Sequence, residues 1–143
     1  MTLVDITIPG APTAKGRARA TRTGRMFTPS KTRDAESTLA GRALVELASV
    51  RDLLPLTGPL RMDVTFTLPV AASWSKKDRA AALTGTCHPT KKPDVDNLVK
   101  LTSDALNGVV WVDDAQLVQV MATKRYGSVP STRIIVDVVG GAV

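Results

Sequence analysis

The chain has 143 residues, of which 43% are hydrophobic, so it can bury a core and fits a single domain over residues 1–143. A formal net charge of +6 favours a polyanionic partner such as nucleic acid. One cysteine and one histidine exclude an internal disulfide and a Cys/His zinc site. Any metal would therefore be held by carboxylates, which suits Mg²⁺ or Mn²⁺. With no signal-peptide pattern and no run of ~20 apolar residues, we expect a cytoplasmic protein.

The N-terminal part predicts a short strand over residues 3–8, followed by a long basic loop over 9–28. The loop carries cations and no acid, namely Lys15, Arg17, Arg19, Arg22 and Arg25. Such a segment is either a phosphate-contacting arm or an ordinary solvated loop. Both interpretations are compatible with the loop's composition.

The middle of the chain predicts two helices and one strand. Thr28 as N-cap and Pro29 at the first helical position predict a helix over about 30–50. Strict alternation over residues 60–68 predicts a half-buried strand. A short helix over 76–83 follows, capped by Ser75, and Trp74 before it is interpreted as a packing residue rather than a base-stacking platform.

The last third begins with KKPDVDN, which predicts a helix over about 95–107 that ends at Gly108. An apolar run over 109–112 predicts a brief strand, closed by Asp113 and Asp114. Two further strands are expected over 116–126 and 132–139, joined by a hairpin turn. This order of elements indicates a small α+β domain in which a mixed β-sheet packs against two main helices.

The carboxylates of the last third have two interpretations. Asp94 is able to cap the helix while Asp96 pairs with Lys100 four residues later. Alternatively, the helix start lies close to Asp113 and Asp114, because a strand packed antiparallel to the helix returns beside it. Adjacent acids at a buried strand end repel each other unless they are solvated, hydrogen-bonded or bound to a cation. Lysines around such a cluster would attract a phosphate backbone, namely Lys91, Lys92 and Lys100.

Two other metal sites fit this pattern poorly. An EF-hand loop that began at Asp94 would need glycine at its sixth position and glutamate at its twelfth. Those positions hold Val99 and Ala105, which excludes calcium sensing of that type. A dehalogenase-type D-x-D follows a strand, whereas this one opens a helix.

The motifs D-x-D-N-L-x-K at residues 94–100 and W-x-D-D-A-Q at 111–116, with I-P-G-x-P at 8–12, resemble the RusA family of Holliday junction resolvases. The resemblance implies a RusA-like fold and a homodimeric endonuclease that binds four-way DNA junctions. It also implies paired nicks made with Mg²⁺, for which Mn²⁺ is a possible substitute. Family members are common in bacteria and prophages, and the pathway stays open between recombination, repair and phage DNA processing.

Carried over by position, the resemblance implies that Asp94, Asp96 and Asp114 bind the metal, with Asp113 as a further ligand. Lys100 matches the catalytic lysine. DNA binding is expected from Lys15, Arg17, Arg19, Arg22, Arg25, Lys91 and Lys92. The basic loop and residues 70–92 depart from the family pattern and bear on which DNA structure is preferred. A nuclease of forks, flaps or RNA and a non-catalytic DNA-binding protein are the alternatives.

Overall fold

Alternating apolar residues build a mixed four-stranded sheet in the computed structural model, which describes residues 2–16 and 18–140. Its strands are β1 (Thr2–Pro9), β4 (Leu60–Leu68), β5 (Leu117–Tyr126) and β6 (Ser131–Val138). They lie in the order β1-β6-β4-β5, with β4 and β5 parallel and the other neighbours antiparallel. The predicted α+β class with a mixed sheet is confirmed.

One face of the sheet carries the core. Leu60, Met62, Val64 and Phe66 are buried on the same side of β4, as their spacing of two predicts. Helix α1 (Ser30–Glu46) packs against β1, and helix α3 (Val95–Ala105) packs against both α1 and β5. The sheet and α1 therefore fix the position of α3, at whose N-terminus the D-x-D motif lies. None of the helices in the described residues has both the length and the apolar character of a membrane span.

The helix boundaries agree only partly with those predicted. The N-cap of α1 is Pro29 with ψ of 141°, so the expected assignment of Thr28 as N-cap is wrong by one residue. The extended ψ keeps Pro29 outside the helix, and α1 ends at Glu46 before a 3-10 helix over Ala48–Leu53. Helix α2 (Lys76–Thr84) is confirmed, because the Ser75 hydroxyl accepts a hydrogen bond from the backbone N–H of Asp78.

The basic loop contains a small hairpin that the sequence did not predict. Strand β2 (Arg19–Ala20) pairs antiparallel with β3 (Met26–Phe27). The turn between them is closed by hydrogen bonds between Thr21 and Arg25, with Gly24 at a positive φ of 84°. Strands of two residues are too short to show a period of two, which explains why the segment was interpreted as a loop.

The predicted hairpin between the last two strands is wrong. β4 lies between β5 and β6, and β5 runs parallel to β4 instead of pairing with β6. Alternation within a strand reports which of its residues are buried but not which strand lies next to it. The connection over residues 127–130 therefore passes the end of β4, and β5 forms one edge of the sheet.

The predicted strand over residues 109–112 is also wrong, because residues 106–110 form a tight turn and Trp111 after it makes isolated bridges to Leu56 and Asn107. The carbonyl of Leu106 accepts hydrogen bonds from the N–H groups of Val109 and Val110, and Gly108 has a positive φ of 76°. Val110 and Trp111 are fully buried at this turn, which accounts for the apolar run. The turn reverses the chain directly after α3 and therefore returns the following acids to the side of that helix.

Candidate active site

The first turn of α3 carries two of the expected metal ligands. Asp94 is the N-cap residue with φ −73° and ψ 141°. Within the described part of the chain, its carboxylate accepts no capping hydrogen bond. Asp96 follows inside the first turn, and both residues are exposed. The positive end of the helix dipole stabilises both negative charges without occupying the carboxylate oxygens. The capping interpretation therefore holds for the backbone of Asp94 and not for its side chain.

Lys100 lies one turn farther along α3 and connects acids from two segments. Its Nζ is 3.1 Å from Oδ1 of Asp104 and 3.8 Å from Oδ2 of Asp114. Both Asp96 and Lys100 are in the described part of the chain, and the expected ion pair between them does not form. The side chain of Lys100 is 57% exposed, so its ammonium remains accessible to a phosphate group.

The two acids after the turn have different roles in the fold. The Asp113 carboxylate accepts a hydrogen bond from the N–H of Ala115 and caps a 3-10 helix over Asp114–Gln116. The side-chain oxygen of Gln116 accepts hydrogen bonds from the N–H groups of Val112 and Asp113. Its amide donates to the carbonyls of Leu56 and Gly58. This segment is therefore held rigidly, and Asp114 is the acid that faces Lys100.

The negative charge around Asp114 is crowded. A hydrogen bond shared with Asp113, followed by burial, raises the pKa of Asp114 above its usual range, although Lys100 opposes the rise. Asp104 raises the pKa of Asp114 further. When neighbouring acids raise the pKa of a carboxyl group, a cation that binds beside it stabilises its ionised form.

Trp111 anchors the turn that delivers these acids. Its ring is fully buried, and its Nε1 donates a hydrogen bond of 2.9 Å to Oδ1 of Asn107. Replacing a buried aromatic residue of this size with alanine typically costs about 3–5 kcal/mol of stability. Trp74, by contrast, packs edge-on against Tyr126 with the ring centroids 5.1 Å apart, in keeping with its interpretation as a packing residue.

The basic residues expected to bind DNA lie in several places. Arg22 and Arg25 are exposed in the turn of the β2–β3 hairpin, and Arg19 belongs to β2. Arg17 lies outside the described residues. Lys91 and Lys92 are exposed just before α3, where the ammonium group of Lys124 binds the carbonyls of Lys91 and Pro93.

Lys15 is placed differently from these surface cations. Its Nζ lies 2.6 Å from Oε1 of Glu36 and 2.8 Å from Oδ2 of Asp104, and its side chain is 24% exposed. Its backbone N–H also donates to the carbonyl of Asn97 in α3. An open groove of about 720 Å³ adjoins this point and is lined by Ala14, Lys15, Lys92, Pro93, Asp94 and Asn97. The groove therefore combines an expected metal ligand with two cations.

The chemistry of the acids suits Mg²⁺, although their arrangement is incomplete. Across residues 2–16 and 18–140, no group of three or more Asp, Glu, His or Cys side chains is arranged to hold a metal ion. Mg²⁺ is usually bound by one or two carboxylates together with water and substrate phosphates, rather than by an all-protein cage. Carboxylate oxygens are therefore the right type of ligand for such an ion, although the described residues do not bring three of them together.

Two residues of this site were missed by sequence reasoning. Asp104 follows Lys100 by four residues, and this spacing was a usable signal because residues four apart on a helix are neighbours. Asp96, Lys100 and Asp104 thus form one stripe along α3. Glu36 lies on α1, and its contact with the ammonium of Lys15 across 21 residues has no local sequence signal.

Comparison with known proteins agrees with the geometry. Residues 9–138 match the family model described as endodeoxyribonuclease RusA, which covers nearly the whole chain. The uncharacterized protein YqaN of Bacillus subtilis (strain 168) is 35% identical over 141 residues, which span 95% of this chain and 96% of YqaN. The matched region contains every residue of the acidic site and its lysine, and the chain belongs to the RusA family of endodeoxyribonucleases.

Proposed function

We propose that this protein is a Mg²⁺-dependent, structure-selective endonuclease that resolves four-way DNA junctions by paired nicks. The observation that carries the proposal is the position of Lys100, whose ammonium lies 3.8 Å from Asp114 and one turn past Asp96. A phosphate-binding cation next to hard oxygen ligands is an arrangement suited to metal-assisted hydrolysis of a phosphodiester. Membership of an endodeoxyribonuclease family supports the same reaction class.

The side chains would divide the reaction between them. Asp94, Asp96 and Asp114 would hold Mg²⁺, with Asp113 as a further ligand. When bound, the ion polarises the phosphoryl group and activates the attacking water. Lys100 would contact a non-bridging oxygen and stabilise the negative charge that develops in the transition state. Its exposure allows this contact, and its ammonium lies 3.8 Å from Asp114, one of the proposed ligands.

The basic surface would bind the phosphate backbone of the junction. The proposed contacts are Arg22 and Arg25 on the hairpin and Lys91 and Lys92 beside α3. The sequence pattern adds Arg17 and Arg19. A four-way junction contains two equivalent strands to cut, so a two-fold symmetric homodimer would match its symmetry. Paired nicking requires two such sites in one complex.

A substrate panel tests this proposal. The protein is incubated with labelled four-way junction, fork, flap, duplex and RNA, each with EDTA and with added Mg²⁺. We expect symmetric cuts in the junction that are absent in EDTA and return with Mg²⁺ or Mn²⁺. Cuts confined to forks, flaps or RNA would contradict the junction assignment. Binding of the junction without cleavage under any metal condition would indicate a non-catalytic DNA-binding protein.

A further inference from the structure

An alternating chain of charges runs from α1 to the proposed active site. Glu36, Lys15, Asp104, Lys100 and Asp114 follow one another with charged atoms 2.6, 2.8, 3.1 and 3.8 Å apart. Its members come from α1, the N-terminal loop, α3 and the segment after the turn. Surface ion pairs that stand alone contribute little, whereas connected pairs restrict one another's side chains.

Asp104 is the central member because both of its oxygens are used. Oδ2 accepts a hydrogen bond from Lys15, and Oδ1 accepts one from Lys100. Burial alone would raise the pKa of Asp104, but the hydrogen bonds from the two lysines outweigh burial and hold that pKa below its usual range. Asp104 is therefore charged at neutral pH and fixes the direction in which the Lys100 side chain extends.

Lys15 in turn fixes Asp104. Its side chain is mostly shielded, and both its ammonium group and its backbone N–H are bound to partners on the helices. This differs from a cation that awaits a phosphate group, such as the exposed Arg22 and Arg25. Without Lys15, the one ammonium partner of Asp104 in the described chain would be Lys100. Asp104 would then neutralise the charge of Lys100 more strongly.

We propose that Lys15 and Asp104 are positioning residues that hold the Lys100 ammonium beside Asp114. Lys15 acts through Asp104 and Lys100 rather than by binding DNA. The inference rests on the proposed function, because it requires Lys100 to act on the phosphate. It separates Lys15 from the other basic residues of the N-terminal loop. Glu36 anchors Lys15 from α1 and has a secondary effect.

The test measures single-turnover cleavage of a labelled junction at saturating protein, together with junction affinity at several salt concentrations. We expect Lys15→Met and Asp104→Asn each to lower the cleavage rate about 10–100-fold, as the loss of partners that orient a metal ligand does. Affinity and its salt slope should stay at the wild-type values. Lys15→Arg should recover part of the rate, because it keeps the charge that binds Asp104.

A matched control separates positioning from general stability. Asp5→Asn removes an exposed ion pair with Arg133 on the sheet, and we expect wild-type cleavage from it. The melting temperature is measured for every variant. If cleavage by Lys15→Met and Asp104→Asn falls only in proportion to the unfolded fraction, the charges hold the fold together and the inference is overturned.

Other outcomes distinguish the inference from the proposed function. If Lys15 binds a phosphate, Lys15→Met will weaken junction binding and reduce the salt slope by about 1 with no change in the saturated rate. That result would overturn the inference alone. The same holds if Lys100→Ala is impaired while Lys15→Met and Asp104→Asn cleave normally. If the wild-type protein cuts no DNA with Mg²⁺, the proposed function fails and the inference fails with it.

Discussion

Replacing Asp114 with asparagine is expected to lower junction cleavage by more than about 10²-fold, because loss of partners that merely orient a metal ligand already costs about 10–100-fold. Asparagine keeps the size of the side chain and removes the charge that would hold Mg²⁺. Asp94→Asn and Asp96→Asn should have effects of the same size. The measurement is the single-turnover cleavage rate with Mg²⁺, beside junction affinity in EDTA, which we expect to stay near the wild-type value.

The Asp113→Asn variant tests which of the two adjacent acids is the principal metal ligand. Because Asp113 caps the 3-10 helix while Asp114 faces Lys100, we expect a smaller loss of cleavage from Asp113→Asn than from Asp114→Asn. The reverse order would make Asp113 the principal ligand. An Asp96→Asn variant that binds and cleaves the junction normally would remove Asp96 from the metal site.

Junction affinity is expected to fall by about 10³–10⁵-fold between roughly 50 and 200 mM salt if the protein makes about 6–10 phosphate contacts. The physical reason is the release of counterions when arginine and lysine side chains neutralise phosphates. A titration of labelled junction at several salt concentrations measures the slope. A binding constant that barely changes with salt would contradict the proposed basic surface.

The hairpin arginines provide a sharper version of this measurement. Replacing both Arg22 and Arg25 with alanine should reduce the salt slope by about 2, since each lost phosphate contact removes about 1. Both residues are exposed in the turn of the β2–β3 hairpin, so their loss should leave the core intact. An unchanged slope would place the DNA elsewhere on the protein.

Elements with a clear period were predictable from the sequence. β4 was predicted with its observed bounds because its five apolar residues alternate without interruption. α3 was predicted within two residues, because a negative first turn and a glycine after its last turn mark both ends. Such elements bury one face, so their apolar residues recur in the sequence with the period of the helix or strand.

Features that depend on distant residues were not predictable in the same way. The place of β4 between β5 and β6 depends on pairing across the sheet. The apolar run 109–112 predicts a strand, since burial of Val110 and Trp111 at a turn leaves the same pattern as burial inside a sheet. The turn still returns Asp114 to α3, where it meets Lys100, but among the described residues no group of three acids forms with Asp94 and Asp96.

In the candidate site as well, local motifs were predictable from the sequence and contacts between distant residues were not. Asp94, Asp96, Lys100 and the later acid pair stood out as motifs because their spacing is local. The contact of Lys15 with Asp104 spans 89 residues, so Lys15 was grouped with the other cations of its loop. Charge and position in the sequence identify a cation, but only the fold shows that two carboxylates already bind it.

The most direct test of the split acidic site is the position of Mn²⁺ in crystals of the protein bound to a four-way junction. Anomalous diffraction from Mn²⁺ locates the ion independently of any cleavage. We expect a peak that is contacted by Asp114, by at least one of Asp94 and Asp96, and by a phosphate oxygen of the DNA. A peak held by other side chains, or by only one of the two acidic segments, would contradict a single site shared between α3 and the turn that follows it.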